Sequence, residues 1–385
     1  MTQEMLQVFY RRGVQDILMG RLALKNRIIF FEYAPEFLET GLEVSPFKLP
    51  LKSGIIPCED RVFDGLFGVF NDSLPDGWGR LLLDRKLIQL GINPGSLSPL
   101  DRLSYVGSHG MGALSYKPEF AEEFERQHDD LDIFASDIAH FQEQNDEQFV
   151  DELLALNGSS AGARPKIIVN GWLIKFRSAT DLQDVGPIEY AYHLMAKAAG
   201  LDVPEAKLFP SKKGPGYFGV KRFDRTAMGW GHMHTVSGLL HADHRLPSLD
   251  YETIMKATLR LTKNGQECEK QFHRCVFNVL AHNRDDHAKN FSFLMDEAGV
   301  WRVSPAYDLT FSSGPAGEHC TMVMGEGKNP EASHLLKLAE ISGIAKQTAL
   351  QIIDQVQQAV SQWSSFAKAA HITKESSMMV GRVLL

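Results

Sequence analysis

At 385 residues, 44% hydrophobic and 23% charged, the chain has the balance of an ordinary globular protein, long enough for one large domain or two to three smaller ones. Forty basic against 48 acidic side chains give a net charge of −8, which disfavours a self-sufficient nucleic-acid binder. No apolar run approaches the ~18 residues of a membrane span, and the opening Met1-Thr2-Gln3-Glu4-Met5 lacks the basic start and apolar stretch of a secretory signal. Cys58, Cys268, Cys275 and Cys320 have neither C-x-x-C nor zinc-like spacing, so reduced thiols in a cytoplasmic protein are expected.

Short strands are predicted over Leu6–Tyr10 and Arg27–Phe31, around a crossing at Gly20-Arg21-Leu22, with a turn at Tyr33-Ala34-Pro35. Leu74-Pro75-Asp76-Gly77-Trp78-Gly79-Arg80 supplies turn chemistry and then a helix to about Leu90. The glycines from Val106 to Leu114 do not satisfy G-x-G-x-x-G and read as a loop entering a strand. Acidic and polar residues crowd a helical segment between about 117 and 150, where a first domain boundary is expected. From about 155 to 225 the pattern is strand, strand, helix, strand, strand, with Gly214-Pro215-Gly216 at the last turn. Beyond about 232 the chain reads as mainly helical, interrupted at 282–313 by a hairpin of Phe291–Leu294 and Trp301–Val303.

His282-Asn283-Arg284-Asp285-Asp286-His287-Ala288-Lys289-Asn290 is the most informative stretch. Its polar groups lie between apolar runs, and each costs roughly 1–3 kcal/mol if buried without a partner. Asp285 precedes Asn290 by five positions, the separation in the kinase pattern H-R-D-x-x-x-x-N. In phosphoryl transfer such a carboxylate orients the attacking hydroxyl and such an amide oxygen holds magnesium on the phosphates. Asp308, 18 residues after Asn290, follows in the order of a second magnesium ligand, although D-F-G is absent. His282, Asp285, Asp286 and His287 also allow a transition-metal site or a purely structural cluster.

Upstream, the small-residue loop Asn157-Gly158-Ser159-Ser160-Ala161-Gly162-Ala163-Arg164-Pro165-Lys166 could bring backbone N–H groups close to a phosphate, or be an ordinary turn. In Trp172-Leu173-Ile174-Lys175-Phe176 strand alternation places Lys175 opposite an apolar face, where it could meet nucleotide phosphates or merely solvent. Glu189, fourteen positions later, opens a helix from about Pro187 to Ala199; it could serve the helix dipole or hold Lys175, as the strand-Lys to helix-Glu pair does in protein kinases.

These motifs, with Lys221-Arg222-Phe223-Asp224-Arg225 and Tyr307-Asp308-Leu309, resemble the HipA-type toxin kinases of bacterial toxin-antitoxin pairs, in the family's order and over nearly the whole chain. The resemblance implies a bilobed, protein-kinase-like α+β fold with an extra N-terminal β-rich subdomain at 1–150, a kinase-like N-lobe at 151–225 and a mostly helical lobe at 226–385. It implies ATP and Mg2+, with Asp285 as catalytic base, Asn290 and Asp308 as metal ligands, and Lys175 on the ATP phosphates. The loop Ala161, Gly162, Ala163, Arg164, Pro165 and Lys166 would cover the phosphates, and Lys221, Arg222 and Phe223 would form the hinge beside adenine. His287, Lys289 and Tyr307 would add nucleotide contacts, and Ser159 or Ser160 would be autophosphorylated. It further implies a serine/threonine of a protein such as an aminoacyl-tRNA synthetase as acceptor, and a small DNA-binding antitoxin of the HipB type that carries any contact with DNA. A small-molecule kinase of the aminoglycoside-phosphotransferase type shares the Asp–Asn spacing, and a catalytically silent nucleotide-binding scaffold is a further alternative.

Overall fold

Apolar alternation in the first hundred or so residues builds an antiparallel sheet from β1 (Met5–Arg12), β2 (Gln15–Lys25), β3 (Ile28–Tyr33), β4 (Ile55–Pro57) and β5 (Leu114–Lys117), in the order β4-β3-β2-β1-β5. The computed structural model describes residues 3–13, 15–120, 130–144, 150–157, 162–226 and 229–385. Leu6, Val8 and Tyr10 of β1, and Ile29, Phe31 and Tyr33 of β3, turn into one core. The crossing expected at Gly20 is instead the middle of β2, where Gly20 pairs with Val8 on one side and Tyr33 on the other. A Cβ on Gly20 would lie 2.2 Å from the Glu32 carbonyl oxygen and 2.6 Å from the Phe31 ring. The glycine therefore marks a close approach within the sheet rather than a break.

The turn expected at Tyr33–Pro35 leads at once into a short helix, α1 (Pro35–Leu38), with its proline at the first turn. Helices α2 (Gly68–Asn71), α3 (Gly77–Gln89) and α4 (Pro99–Val106) follow before β5. Ser98 and Asp101 form a reciprocal capping box that starts α4. Next come α5 (Leu131–Gln144) and α6 (Val150–Asn157); Trp78 and Leu82 of α3 and Phe134, Ile138 and Phe141 of α5 pack in an apolar cluster with the strands that follow.

Those strands are β6 (Lys166–Val169) and β7 (Trp172–Lys175), then α7 (Val185–Ala198), then β8 (Ala206–Phe209) and β9 (Tyr217–Lys221), the predicted succession, in the sheet order β6-β7-β9-β8. The chain continues through the short pair β10 (Arg225–Thr226) and β11 (Gly229–Trp230) to β12 (His232–Thr235), α8 (Val236–Leu240), β13 (Leu249–Asp250), α9 (Tyr251–Thr262) and α10 (Gly265–Leu280). The predicted hairpin is β14 (Ser292–Met295) with β15 (Trp301–Val303), and β12 pairs on its other side. Strand β12 escaped the sequence reading because His232 and His234 count as polar, yet all four of its residues are buried. After β16 (Thr321–Met322), helices α11 (Ala332–Ile341), α12 (Lys346–Ser361), α13 (Trp363–Ala369) and α14 (Lys374–Leu384) complete the helical lobe. Tyr192 of α7 packs on Phe277 and Trp363 and donates its hydroxyl to the Ala281 carbonyl at 2.6 Å, fixing α7 against the lobe.

Candidate active site

The second sheet and the segment after α10 face each other across a cleft of about 960 Å³. Lys166 and Lys175 stand directly opposite in register on β6 and β7, an arrangement of like charges that needs offsetting carboxylates. Glu189 on α7 supplies one, 2.5 Å from Lys175 Nζ, and Asp308 supplies the other through a shorter contact. Glu189 is buried, and Asp308, although deep in the molecule, keeps 36% of its side chain open to the cleft. Burial alone would raise the Asp308 carboxyl, but Lys175 and then Lys166 outweigh it and pull it down to about 2. Lys175 moves the other way: burial opposes its charge, and Asp308 and Glu189 overcome that and hold it protonated well above the ordinary range. Lys166 is pushed down to about 8 by burial, with Lys175 adding to the effect and Asp308 resisting it.

Opposite the sheet, the two adjacent acids of the central motif differ. Asp286 is fully buried and accepts from Tyr251 Oη at 2.9 Å, His319 Nδ1 at 2.9 Å and the Thr321 N–H at 3.2 Å. It anchors the segment. Asp285 is exposed to the cleft, and its dense surroundings, with Asp308 and Asp286 nearby, push its carboxyl up against pulls from His287 and Arg164. Asn290 Nδ2 donates to the Asp285 carbonyl at 2.7 Å, so the amide oxygen is the atom Asn290 has left to offer the cleft. Asp308, held ionised, and that oxygen are hard donors of the kind magnesium takes, usually with waters and phosphate oxygens completing its shell. Asp286 is spent on bonds to Tyr251 and His319, so it is not a free ligand for the transition-metal alternative.

Gly162, Ala163, Arg164, Lys166, His287 and Lys289 line the same cleft as Asp285, Asn290 and Asp308. Arg164 pairs with Asp181 at 3.2 Å, and Lys289 with Asp76 at 2.6 Å. Pro165 is buried behind the loop, its carbonyl accepting the Phe176 N–H at 2.8 Å. Ser159, Ser160 and Ala161 lie outside the described residues. An adjoining recess of about 110 Å³ is lined by Ile168, Leu173, Val220, Met233, Phe223 and Tyr307. Lys221 and Arg222 also border it, but their N–H groups already bond Glu205 O at 2.8 Å and Gly171 O at 2.9 Å, and the Arg222 guanidinium is tied to Asp224 at 2.6 Å.

Residues the sequence reading gave no role complete the walls. Asp76 and His244 line the cleft, and Asp72, Met111 and Thr235 line the recess. His244 is driven down to about 4 by burial and by Lys289, so it is neutral; its ring centroid lies 5.6 Å from that of His287. Only the Leu74-Pro75-Asp76-Gly77 turn hinted at any of them.

Fold and cleft together define a bilobed, protein-kinase-like α+β protein with a helical C-terminal lobe and an added N-terminal β-rich unit. The HipA-like C-terminal domain matches residues 158–363 and the HipA N-terminal domain residues 13–117, so the chain belongs to the HipA family. A chain from the Shewanella oneidensis complex of HipA, HipB and operator DNA has the same fold, with a TM-score of 0.71 at 16% identity over 98% of this chain and 94% of that one. The chain is 25% identical over 213 residues to Y4dM of Sinorhizobium fredii, covering 51% of this chain and 52% of that protein. It is 29% identical over 136 residues to a Haemophilus influenzae protein, covering 31% of this chain and 39% of that one. Both carry provisional kinase names, and the matched stretch spans about half or less of their length. Among the described residues no helix is long and apolar enough to cross a membrane.

Proposed function

We propose that this protein is an ATP- and magnesium-dependent serine/threonine protein kinase, the toxin of a HipA-type toxin-antitoxin pair. One observation carries the reading: Lys175 stands between the carboxylates of Glu189 and Asp308 on the cleft that Asp285 and Asn290 also line. An ammonium held by two carboxylates still has an N–H for a phosphate oxygen, and Lys166 beside it adds a second donor. The apolar recess between Ile168, Leu173, Val220 and Met233 suits the flat face of adenine. Asp285, open to the cleft, would orient the acceptor hydroxyl and take its proton. Magnesium, bound by Asp308 and the Asn290 amide oxygen, would neutralise charge building on the transferred phosphoryl group.

The acceptor proposed from the family resemblance is a serine or threonine of a translation factor such as an aminoacyl-tRNA synthetase, with Ser159 or Ser160 as the site of self-modification. The Shewanella complex contains HipB and operator DNA, which supports a small antitoxin of that type as partner. The net charge of −8 fits a cytoplasmic kinase that reaches DNA only through that partner.

The test is to incubate purified protein with Mg-ATP and map phosphate by mass spectrometry beside an Asp285→Asn variant. Phosphoserine or phosphothreonine formed by the wild type and lost in the variant is the expected result. Equal transfer by both would remove Asp285 from its role, and phosphate on an added aminoglycoside but not on protein would favour the small-molecule kinase.

A further inference from the structure

The described start of the phosphate loop is tied to a turn 86 residues earlier in the chain. The Gly162 N–H donates to Asp76 Oδ1, and the Gly162 carbonyl accepts the Trp78 N–H at 3.1 Å. The other Asp76 oxygen accepts from Lys289 Nζ at 2.6 Å, with His244 Nε2 3.7 Å away. One carboxylate therefore joins the N-terminal unit, the phosphate loop and the segment that carries Asp285 and Asn290.

The local sequence is shaped for this contact. Asp76 occupies the N-cap position of α3, where an aspartate ordinarily accepts from the helix's own N–H groups. Here the side chain makes no capping bond and is spent on Gly162 and Lys289 instead. Gly77 has φ +42°, and a Cβ on it would lie 2.6 Å from the Gly162 carbonyl oxygen and 2.7 Å from Ala163 Cα. Gly162 has φ +106°, and a Cβ there would lie 2.4 Å from Lys166 Nζ. Gly77 lets two backbones meet where a Cβ would separate them, and Gly162 takes a backbone conformation that favours glycine. Lys289 is itself buried, so its ammonium needs the Asp76 partner.

We propose that Asp76 is a positioning residue for phosphoryl transfer, holding Gly162 and Lys289 at a set separation so that nucleotide phosphates meet Lys166 and Lys175. The inference rests on the kinase reading above, but the tie itself can be measured without activity. Asp76→Ala removes both bonds, whereas Asp76→Asn keeps an oxygen for the Gly162 N–H and loses the charge facing Lys289.

With the full-length chain, Asp76→Ala is expected to raise the KM for Mg-ATP about tenfold while kcat stays within about threefold, with Asp76→Asn between. Amide exchange across residues 162–166 should quicken about tenfold in Asp76→Ala and stay unchanged in β1 to β3. A variant with wild-type KM and wild-type exchange at Gly162 overturns the proposal. So does the pattern of a merely structural role, a lower kcat at unchanged KM with faster exchange throughout. Quickened exchange confined to 162–166, in a protein whose wild type transfers no phosphate, would support the tie and sink the kinase reading, so the two fail separately.

Discussion

Tyr307 donates its phenolic hydroxyl to the Lys289 carbonyl at 2.5 Å, tying the residue before Asp308 to the residue before Asn290. The two donors proposed for magnesium lie on segments that are separate in sequence, and this bond sets their spacing from behind. Burial also pushes the Tyr307 hydroxyl well above its ordinary range, so it remains a donor at every physiological pH. Tyr307→Phe leaves the ring in place beside Phe223 and removes only the bond. Urea unfolding should register a loss of about 1–2 kcal/mol, and the magnesium concentration for half-maximal transfer should rise several-fold. An unchanged magnesium requirement would mean that the two segments keep their spacing without the tie.

Adjacent acids should answer oppositely to one substitution. Asp286 is buried and serves three donors, so Asp286→Asn is expected to destabilise the fold by roughly 3 kcal/mol. Asp285 is exposed to the cleft, and its raised carboxyl means that the folded state disfavours its charge. Asp285→Asn should therefore leave stability unchanged or slightly higher while abolishing transfer, a trade seen where function requires an unfavourable charge. Thermal melts of both variants beside a transfer assay decide the matter. Equal destabilisation by the two would contradict the division of labour.

The same carboxyl, as the proposed general base, should set a pH limb. A general base works ionised, so kcat/KM should fall as acid protonates Asp285, with a midpoint above the ~3.9 of an unperturbed aspartate. Asp308 has the opposite sign. Its folded carboxyl is held at about 2, below the unfolded value near 3.9, so the stability it contributes is complete above about pH 4 and is lost as pH falls towards 2. Lys175→Met removes the main cause, and the stability difference between wild type and variant should shrink across that interval. A difference that stays constant from pH 5 to pH 2 would show that the ion pair does not hold the carboxyl down.

Where chemistry and spacing are local, the sequence was readable. Asp285 and Asn290 lie within one segment, and Lys175 and Glu189 within one strand and the next helix, so spacing and alternation marked them as candidates, the family resemblance joined them, and all four line one cleft. Gly214-Pro215-Gly216 marked the turn between β8 and β9 for the same reason. What pattern could not reveal was long-range or inverted in meaning. Asp76 reaches Lys289 across 213 residues, and no local rule links a turn after α2 to a lysine that far away. Gly20 lies in the segment expected as a crossing between two strands, whereas it sits inside β2, where the Phe31 ring and the Glu32 carbonyl occupy the space of its missing side chain. His232 and His234 hid β12 because their burial depends on partners, the Val44 carbonyl for one and Asp72 for the other, that only the tertiary fold provides.

Ser45, His234 and Asp72 have the geometry of a hydrolytic triad and should nevertheless be inert. Ser45 Oγ lies 3.0 Å from His234 Nε2, and His234 Nδ1 lies 2.6 Å from Asp72 Oδ2. Those separations meet the condition for an activated serine, but Ser45 is 1% exposed and His234 is completely enclosed, so no acyl group can reach the hydroxyl. Asp72 also accepts the N–H and hydroxyl of Thr235, both at 2.7 Å. The cluster thus fastens the N-terminal unit to β12 and, through Thr235 and Asp72, to the wall of the apolar recess. A serine-directed fluorophosphonate should leave Ser45 unlabelled in the native protein, and labelling there would show that the seam opens. His234→Gln, which cannot serve both neighbours at the same angles, should lower stability by about 2 kcal/mol and weaken nucleotide binding through the displaced recess wall. Calorimetric titration with a non-hydrolysable ATP analogue measures that coupling, and unchanged affinity in a destabilised variant would confine the seam to a purely structural role.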